Sequence, residues 1–430
     1  MPGATADAAP PAAAPAARFR DVTAAQWRAL AAATLGWMFD AMDFMLYVMA
    51  IGRLQQYFGF DAARAGLVAT ATLVTAAAGG LAFGVIADKI GRVRALTITI
   101  LVYAVCSIGA ATSQSLAQLM IWRGLLGLGM GGEWASGAVL VTETWPAALR
   151  NKATSLMQSS WAIGMILAAL LSGLVLDVLP LGREAWRWLF AAGALPALLA
   201  WWVRRSVDEP DVWKANHAAG RLAGNPYRVL FSAALRRRTL LACLLSSLLL
   251  FAYWGLFTWL PNLLASPVDQ GGAGMSIVKS TAFLIPMQLG AFAGYLSFGP
   301  LADRFGRRRI FAAFTVTAAV IVPVYLRLMT SPALLMLLGP VLGFVGHGYW
   351  SMLGPLLSEL FPTSVRASGQ GLGYNSGRIA GAAAPWVMGV LAGIPGIGFV
   401  AALGLTSAFY VAAALVVFLL PDSSAKPLEA

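Results

Sequence analysis

Five charged side chains interrupt long apolar runs of this chain, and their types indicate proton and anion chemistry. Asp40 and Asp43 lie three residues apart in GWMFDAMDFMLY, so they share one face of a helix. Two carboxylates this close in a dry environment cannot both be ionised easily, so one is expected to hold a proton. The alternative is that one of them only pairs with an arginine of another helix. The two aspartates are therefore candidate proton carriers.

Glu133 follows the glycine-dense run GLGMGG, whose small residues allow helices to pack closely. Its position inside an apolar segment makes it another candidate for protonation, and the alternative is a structural pair with a neighbouring helix. Arg123 precedes it by ten residues in the same segment, and a purely structural role is one interpretation of it.

Arg378 lies in the apolar segment that contains GYNSGRIAG. A guanidinium keeps its proton, so an arginine inside a membrane needs an anion. That anion is either a substrate carboxylate, held by two parallel hydrogen bonds, or an aspartate of the protein. Asn375 lies three residues earlier on the same helix face and could bind the substrate, as could Tyr374. We expect these residues to form a binding site for an anion.

Other polar and aromatic residues within apolar segments are candidates for the same cavity. His347 titrates near neutral pH, so it is either a proton relay or a packing histidine. The remaining candidates are Tyr253, Trp254 and Trp259, for which packing or anchoring at the membrane interface is the alternative, and the polar Gln158 and Gln288.

A charged motif occurs twice, once in each half of the chain. GVIADKIGRVR begins at Gly84, and GPLADRFGRRR begins 215 residues later at Gly299. The aspartate can cap a neighbouring helix or pair with a nearby arginine, and the second glycine permits a tight turn. Two copies at this spacing favour a conformational latch over a basic loop that only fixes topology. The candidate gating residues are Gly84, Asp88, Gly91, Arg92, Gly299, Asp303, Gly306 and Arg307.

A second repeat supports two related halves. ETWPAALR, with Glu143 and Arg150, recurs as ELFPTSVR, with Glu359 and Arg366. These charges lie at the ends of apolar segments, so we interpret them as further gating residues.

Composition indicates an all-α integral membrane protein. Of 430 residues, 59% are hydrophobic, and mean hydropathy is +0.74. The net charge of +12 does not indicate nucleic-acid binding, because the basic residues lie in loops. Cys106 and Cys243 lie in apolar runs, and two histidines are too few for a metal cage, so neither a disulfide framework nor a metal site is predicted. Residues 1–17 lack the apolar core of a signal peptide.

Twelve apolar segments follow a low-complexity tail. We predict a disordered cytoplasmic tail at 1–24 and an N-terminal six-helix bundle at 25–205. A cytoplasmic linker at 206–238 leads to a C-terminal six-helix bundle at 239–421 and a second cytoplasmic tail at 422–430. With both termini inside the cell, 22 of the 30 basic residues face the cytoplasm and 6 face outwards. This bias predicts cytoplasmic termini.

Both copies of the charged motif resemble the signature loop of the major facilitator superfamily, and RGLLGLGMGGE resembles its fourth-helix motif. The resemblance covers residues 25 to 420. LGWMFDAMDFMLY, GLGMGGEWASG and GYNSGR are most similar to the metabolite–proton symporters of the sialate and lactate branch. The first of these also resembles the Asp-Gly-x-Asp motif of aromatic-acid symporters, with Ala41 in place of the glycine. The resemblance implies twelve helices in two pseudo-symmetric six-helix bundles that rock about a central cavity. It also implies that Arg123 assists proton coupling.

The predicted function is proton-coupled import of a small organic acid anion such as a lactate-like monocarboxylate. The alternatives are an aromatic-acid or sialic-acid symporter, or an exporter of a drug or metabolite. An enzyme is not expected, because the sequence has no histidine cluster, no Gly-x-Ser-x-Gly motif and no CxxC motif. We expect no cofactor, since the proton gradient drives transport. The expected partners are the acid, protons and the lipid bilayer of the inner cell membrane, with a monomer as the functional unit.

Overall fold

The computed structural model describes residues 19–146, 149–211, 213–214, 226–358, 360–361 and 365–421. Within these ranges every regular element is helical. The predicted tails therefore lie almost wholly outside the described residues, and so does much of the predicted linker.

Six helical spans form the N-terminal half. The fifth continues as a π-helix through Leu174–Val178, and the sixth is divided into two segments. The spans are α1 Ala24–Phe58, α2 Ala62–Ile90, α3 Arg92–Ala111, α4 Leu116–Thr144, α5 Arg150–Gly173, and α6 Ala185–Ala192 with Pro196–Ser206.

Six further spans form the C-terminal half, and three of them are divided. They are α7 Arg236–Phe257 with Leu260–Ala265, α8 Ile277–Phe305, α9 Arg307–Arg327, α10 Pro332–Gly348 with Trp350–Ser358, α11 Arg366–Ala392, and α12 Gly398–Gly404 with Thr406–Leu419. The twelve spans traced in the described residues confirm the predicted all-helical class. We call the face where α1 begins and α12 ends the terminal face, and the other the opposite face.

Side-chain caps fix where several helices begin. The Thr23 hydroxyl accepts from the Gln26 amide at 3.3 Å, and the Gln26 side chain accepts from the Thr23 amide at 2.8 Å, which is a capping box before α1. Asp61 caps α2 in a similar way, accepting from the Arg64 amide at 2.8 Å. Such caps satisfy backbone donors that have no partner within the helix.

The chain is ordered slightly before the predicted boundary at residue 24. Phe19–Asp21 form a short 3-10 turn, where the expectation was a disordered tail. The ring of Phe19 lies 6.4 Å from that of Trp27 and 6.2 Å from that of Trp145. This aromatic contact holds the turn against the ends of α1 and α4.

The glycines of α4 allow the close helix packing that the sequence predicts. A Cβ atom added at Gly131 would lie 1.7 Å from the carbonyl oxygen of Ala76 on α2, and one added at Gly129 would lie 2.7 Å from that of Thr99 on α3. The two halves pack against each other chiefly through α2 with α11 and α5 with α8. The cavity between the halves is thus framed by tightly packed pairs.

Nine helical stretches in the described part of the chain are long and apolar enough to cross a membrane. The other three spans are α4, α6 and α11, and two of these carry the buried Arg123, Glu133 and Arg378. Large apolar side chains are exposed on the outside of the bundle, such as Leu198 at 71% and Leu415 at 65%. This apolar exterior is the surface that lipid covers.

Candidate functional site

A cavity lies at the centre of the molecule, between the two halves. Eight helices form its wall, four from each half. The volume that the centres of water molecules can occupy is about 40 Å³, which is room for a few waters. Two polar side chains line it, Gln158 and Arg378. Its aromatic lining residues are Trp37, Trp161, Tyr253, Trp254, Tyr295, Trp350 and Tyr374. The wall is therefore mainly aromatic, with one cation.

Arg378 is the cation of this wall. It is 6% exposed, and its guanidinium carbon lies 5.2 Å from the ring centre of Tyr374 and 5.7 Å from that of Trp134. Among the described residues, its buried Nη1 atom has no hydrogen-bond partner, and neither does Oδ1 of Asn375. A Cβ atom at Gly80 of α2 would lie 2.9 Å from that oxygen and 3.5 Å from Nη1. Arg378 and Asn375 thus present unused polar atoms side by side.

Arg123 has a different environment, because Asp43 neutralises it. Its Nη1 lies 2.9 Å from Asp43 Oδ2, and both side chains are at most 1% exposed. The Ser107 hydroxyl donates to the other carboxylate oxygen at 2.6 Å. The guanidinium also lies 5.2 Å from the ring centre of Tyr47. Asp43 and Arg123 form a buried ion pair, and Nε and Nη2 of Arg123 have no hydrogen-bond partner among the described residues. Such a pair is the structural alternative considered for one of the two aspartates.

Asp40 and Glu133 form a second acidic group, near Arg378. Asp40 is 2% exposed and Glu133 is fully buried. Both carboxylate oxygens of Glu133 and Oδ2 of Asp40 lack a hydrogen-bond partner in the part of the chain that the structure describes. Burial disfavours the ionised form of both acids most strongly; among charged groups, Arg378 favours ionised Asp40 most, and Asp40 disfavours ionised Glu133 most. The structure thus separates the two aspartates: one faces Arg123 and the other faces Arg378.

Glycine at position 36 makes room for Glu133. A Cβ atom there would lie 2.2 Å from Glu133 Oε1 and 3.1 Å from Cδ. The carboxyl group of α4 therefore packs directly on the backbone of α1, one turn from Asp40.

His347 and Gln288 lie behind the cavity wall. The ring of His347 lies 5.2 Å from that of Tyr253 and 4.5 Å from that of Phe257, and its Nδ1 is 3.1 Å from the Gly343 carbonyl oxygen. Gln288 is 2% exposed. Neither is among the lining residues of the central cavity. A proton relay through His347 stays a prediction.

Aromatic contacts close the cavity between the halves. On the side of the opposite face, the Trp161 indole donates to the Tyr253 hydroxyl at 2.8 Å, and the rings of Phe44 and Trp254 lie 4.5 Å apart. On the side of the terminal face, Trp134 stacks on Tyr374 at 4.4 Å. Each contact joins one half to the other, so each must break when the cavity opens on that side.

A second cavity lies at the opposite face, between α1 and the second segment of α7. The volume that the centres of water molecules can occupy there is about 760 Å³. Arg53, Asn262 and Trp259 are among its lining residues. The expectation that Trp259 lines the central cavity is therefore wrong. The Trp259 indole instead donates to the Pro385 carbonyl at 2.9 Å, which draws the ring towards α11.

A polar network ties the loop before α6 to its neighbours at the same face. Glu184 accepts hydrogen bonds from Tyr57, at 2.8 Å, and from Arg187. These bonds, the one from Tyr57 first, lower the pKa of the Glu184 carboxyl below its ordinary value. Arg187 also donates to the Ala111 carbonyl at 2.7 Å, so the loop is fixed to the end of α3.

The repeated motif forms the same turn in both halves. Gly91 joins α2 to α3 with φ +108°, and Gly306 joins α8 to α9 with φ +92°. Side chains rarely adopt this conformation, so both positions require glycine. An added Cβ at Gly299 would meet open space, so close packing does not explain that glycine.

Arg92 and Glu143, two of the predicted gating residues, are paired at the terminal face. Arg92 donates from Nε to Glu143 Oε2 at 3.1 Å and from Nη2 to Oε1 at 3.0 Å, and its Nη1 donates to the Ala87 carbonyl at 2.8 Å. This two-fold pair links the start of α3 to the end of α4. Glu359 lies outside the described residues, as do the side chains of Asp88, Arg150, Asp303 and Arg366. Their gating roles stay predictions, and so do those of Gly84 and Arg307.

Sequence reasoning missed Glu209, which joins the linker to this corner. Its carboxylate accepts from the Val93 amide at 3.0 Å and from the Arg94 amide at 3.1 Å, so it caps the N-terminus of α3. It also missed Trp37, Trp161 and Tyr295 as parts of the cavity. For Trp37 a signal exists, since it precedes Asp40 by three residues in the first-helix motif.

Comparison with known proteins agrees with this architecture. The Major Facilitator Superfamily model matches residues 33–297 and 271–430. The chain is 34% identical to a protein described as a probable 4-methylmuconolactone transporter of Cupriavidus pinatubonensis, over 92% of this chain and 90% of that one. It is 29% identical to the sialic acid transporter NanX of Escherichia coli, over 88% and 91%. The crystal structure of a D-xylose–proton symporter has the same fold, with TM-score 0.77 and 18% identity over 94% of this chain and 100% of that one. The chain belongs to the Major Facilitator Superfamily, as a multi-pass membrane transporter of small organic metabolites in its metabolite symporter group.

Proposed function

We propose that this transporter imports a small organic acid anion together with protons, by alternating access. The observation that carries the proposal is the contrast between the two buried arginines. Arg123 is paired with Asp43 at 2.9 Å and is not among the cavity-lining residues, whereas Arg378 lines the cavity and has no ion pair among the described residues. A guanidinium in that position fits a carboxylate better than a neutral sugar.

Proton coupling follows from the carboxyl groups beside Arg378. Asp40 competes with the substrate for the same cation, because Arg378 is its strongest charged neighbour. Protonation of Asp40 removes that competition and frees Arg378 for the acid. We therefore assign proton coupling to the acidic group that Asp40 and Glu133 form together, and a positioning role to the pair of Asp43 with Arg123.

The lining favours an acid with a planar, unsaturated body. Seven aromatic rings surround the cavity, and rings stack on flat π-systems more favourably than on saturated chains. The aromatic-acid alternative is therefore better supported than a lactate-like substrate. The similarity to a protein described as a probable 4-methylmuconolactone transporter and to the sialic acid transporter NanX supports an organic acid or lactone as the substrate.

The gates follow from the contacts between the halves. Opening to the terminal face breaks the stack of Trp134 on Tyr374, and opening to the opposite face breaks the Trp161–Tyr253 hydrogen bond. We place the terminal face on the cytoplasmic side of the inner membrane, because the basic loops lie at that face. A single chain contains the whole cavity, which supports a monomeric transporter.

The proposal is tested by uptake into liposomes under an inward proton gradient. The panel contains lactate, pyruvate, sialic acid, 4-hydroxybenzoate and xylose, with cyclohexanecarboxylate as the non-planar control for the aromatic acid. We expect 4-hydroxybenzoate to be taken up faster than cyclohexanecarboxylate, and xylose not at all. Transport of xylose but of no acid would overturn the proposal.

Arg378→Gln tests the role of the cation. Loss of a charge-assisted pair is expected to lower affinity for the acid about 10- to 150-fold. The matched control is Arg204→Gln, because Arg204 is exposed at the terminal-face end of α6 and lies outside both copies of the charged motif. Equal loss in both variants would contradict a specific role for Arg378.

A further inference from the structure

The buried charges at the centre divide into two groups. Asp43 and Arg123 neutralise each other, with a hydrogen bond from Ser107 to the carboxylate. The remaining group has two carboxyl groups, Asp40 and Glu133, and one guanidinium, Arg378. Within the described residues, this second group therefore contains two acidic side chains and one basic side chain, so one carboxyl group has no cation to balance its charge.

We propose that the two acids of this group have different roles. Glu133 keeps its proton through the whole transport cycle, and Asp40 exchanges the one proton that accompanies each acid anion. The inference rests on the proposed function, since it assigns the proton number of the same site.

Charge balance supports one exchangeable proton. In the empty carrier, protonated Glu133, ionised Asp40 and Arg378 sum to zero. When a monoanion binds Arg378, protonation of Asp40 again gives zero. Ionisation of both acids would leave a net negative charge in the middle of the membrane in the empty state, which lipid surroundings disfavour.

Burial and contacts identify Glu133 as the acid that keeps its proton. Its side chain is fully buried against Gly36, and both oxygens lack a partner among the described residues, which is the environment in which the neutral form is favoured. The charged group that acts most strongly on it is Asp40, of the same sign. Arg378 is next, and the Tyr103 hydroxyl of α3 is the further titratable group that faces it.

Asp40 has the opposite balance of neighbours. Burial disfavours its ionised form as well, but Arg378 is the charged group that counteracts this most, followed by Asp43 and Arg123, whose charges offset each other. Its ionised form is thus stabilised by Arg378 until an acid anion takes that cation. The exchange then requires one proton from the side to which the cavity is open.

Infrared spectroscopy tests Glu133 without a substrate. The C=O stretch of a protonated carboxyl group shifts when water is replaced by D2O, whereas lipid ester bands do not. At neutral pH we expect wild type and Asp40→Asn to show this band, and Glu133→Gln to lack it. Identical bands in wild type and Glu133→Gln would overturn the assignment.

The membrane potential tests the proton number on the unaltered protein. The probe is radiolabelled 4-hydroxybenzoate in liposomes with a fixed pH gradient, to which valinomycin and potassium add an inside-negative potential. One proton with one monoanion moves no net charge, so accumulation is expected to stay unchanged. A second transported proton would raise it about 50-fold at 100 mV, which would overturn the inference. If no acid accumulates at all, the proposed function is wrong, and the infrared difference alone then decides the state of Glu133.

Discussion

At the scale of single residues, the same side-chain type has different roles because its partners differ. Arg123 and Arg378 are both buried arginines over aromatic rings, yet Arg123 is paired with an aspartate and Arg378 lines the cavity. The three buried carboxyl groups divide in the same way. Chemistry at this site is thus decided by which helix each side chain faces.

Substitution of glycines should separate effects on function from effects on stability. In Gly36→Ala the new methyl group meets Glu133 Oε1, the end of a flexible side chain, so we expect a small loss of stability, below about 1 kcal/mol, and impaired proton coupling. In Gly131→Ala it meets the rigid backbone at Ala76, so we expect a loss of about 1–3 kcal/mol or more. Thermal unfolding in detergent measures both, and equal losses would contradict the described packing.

Much of this residue-level picture follows from sequence, because a charge in an apolar segment is rare and costly. All five buried central charges stand out in this way. The aromatic residues do not, since a tryptophan on an apolar helix looks the same whether it faces lipid or the cavity. Trp188 is 62% exposed, whereas Trp161 is 4% exposed and lines the cavity. Helix rotation decides this, and the neighbouring sequence does not reveal it.

At the scale of elements, the two halves reuse one turn. Gly91 and Gly306 have similar positive φ angles at equivalent junctions, as the repeated motif predicts. Sequence could not reveal the cap by Glu209, because a span of 116 residues separates it from Val93 and no local spacing rule connects them.

Gly306→Ala and Gly299→Ala form a matched pair. A Cβ atom meets open space at both positions, but only Gly306 has a positive φ. We expect Gly306→Ala to lower the free energy of unfolding by about 1–3 kcal/mol from backbone strain, and Gly299→Ala to have little effect, since alanine suits a helix. Thermal unfolding of the two variants in one detergent checks this. A larger loss for Gly299→Ala would show that the turn is not what requires glycine.

Removal of the linker cap should loosen the start of α3. Glu209→Ala leaves the Val93 and Arg94 amides without their acceptor, which is expected to cost about 0.5–2 kcal/mol. Glu209→Gln keeps an acceptor oxygen and should lose less. Hydrogen exchange at residues 92–95 measures the effect locally, and unchanged exchange in Glu209→Ala would contradict the cap.

At the scale of the whole molecule, transport requires contacts between the halves to break in turn. The Trp161–Tyr253 hydrogen bond joins α5 to α7 on the side of the opposite face. Each of Trp161→Phe and Tyr253→Phe removes this one bond and keeps a ring, so the double variant should show no further effect. We expect either change to favour opening by about 0.5–1.5 kcal/mol. The opening is measured by the labelling rate of a cysteine placed at position 158, in the cavity. If the effects of the two single variants added in the double variant, they would not arise from one common hydrogen bond.

The central claim is that a proton gradient drives accumulation of an acid bound at Arg378. The most direct measurement is the initial rate and extent of 4-hydroxybenzoate uptake at an imposed difference of one pH unit, with Arg378→Gln liposomes as the baseline for passive entry of the neutral acid. We predict uptake well above that baseline, towards about tenfold accumulation, and its loss when a protonophore is added. Uptake that matches the Arg378→Gln baseline, or that persists unchanged with the protonophore, would contradict the account.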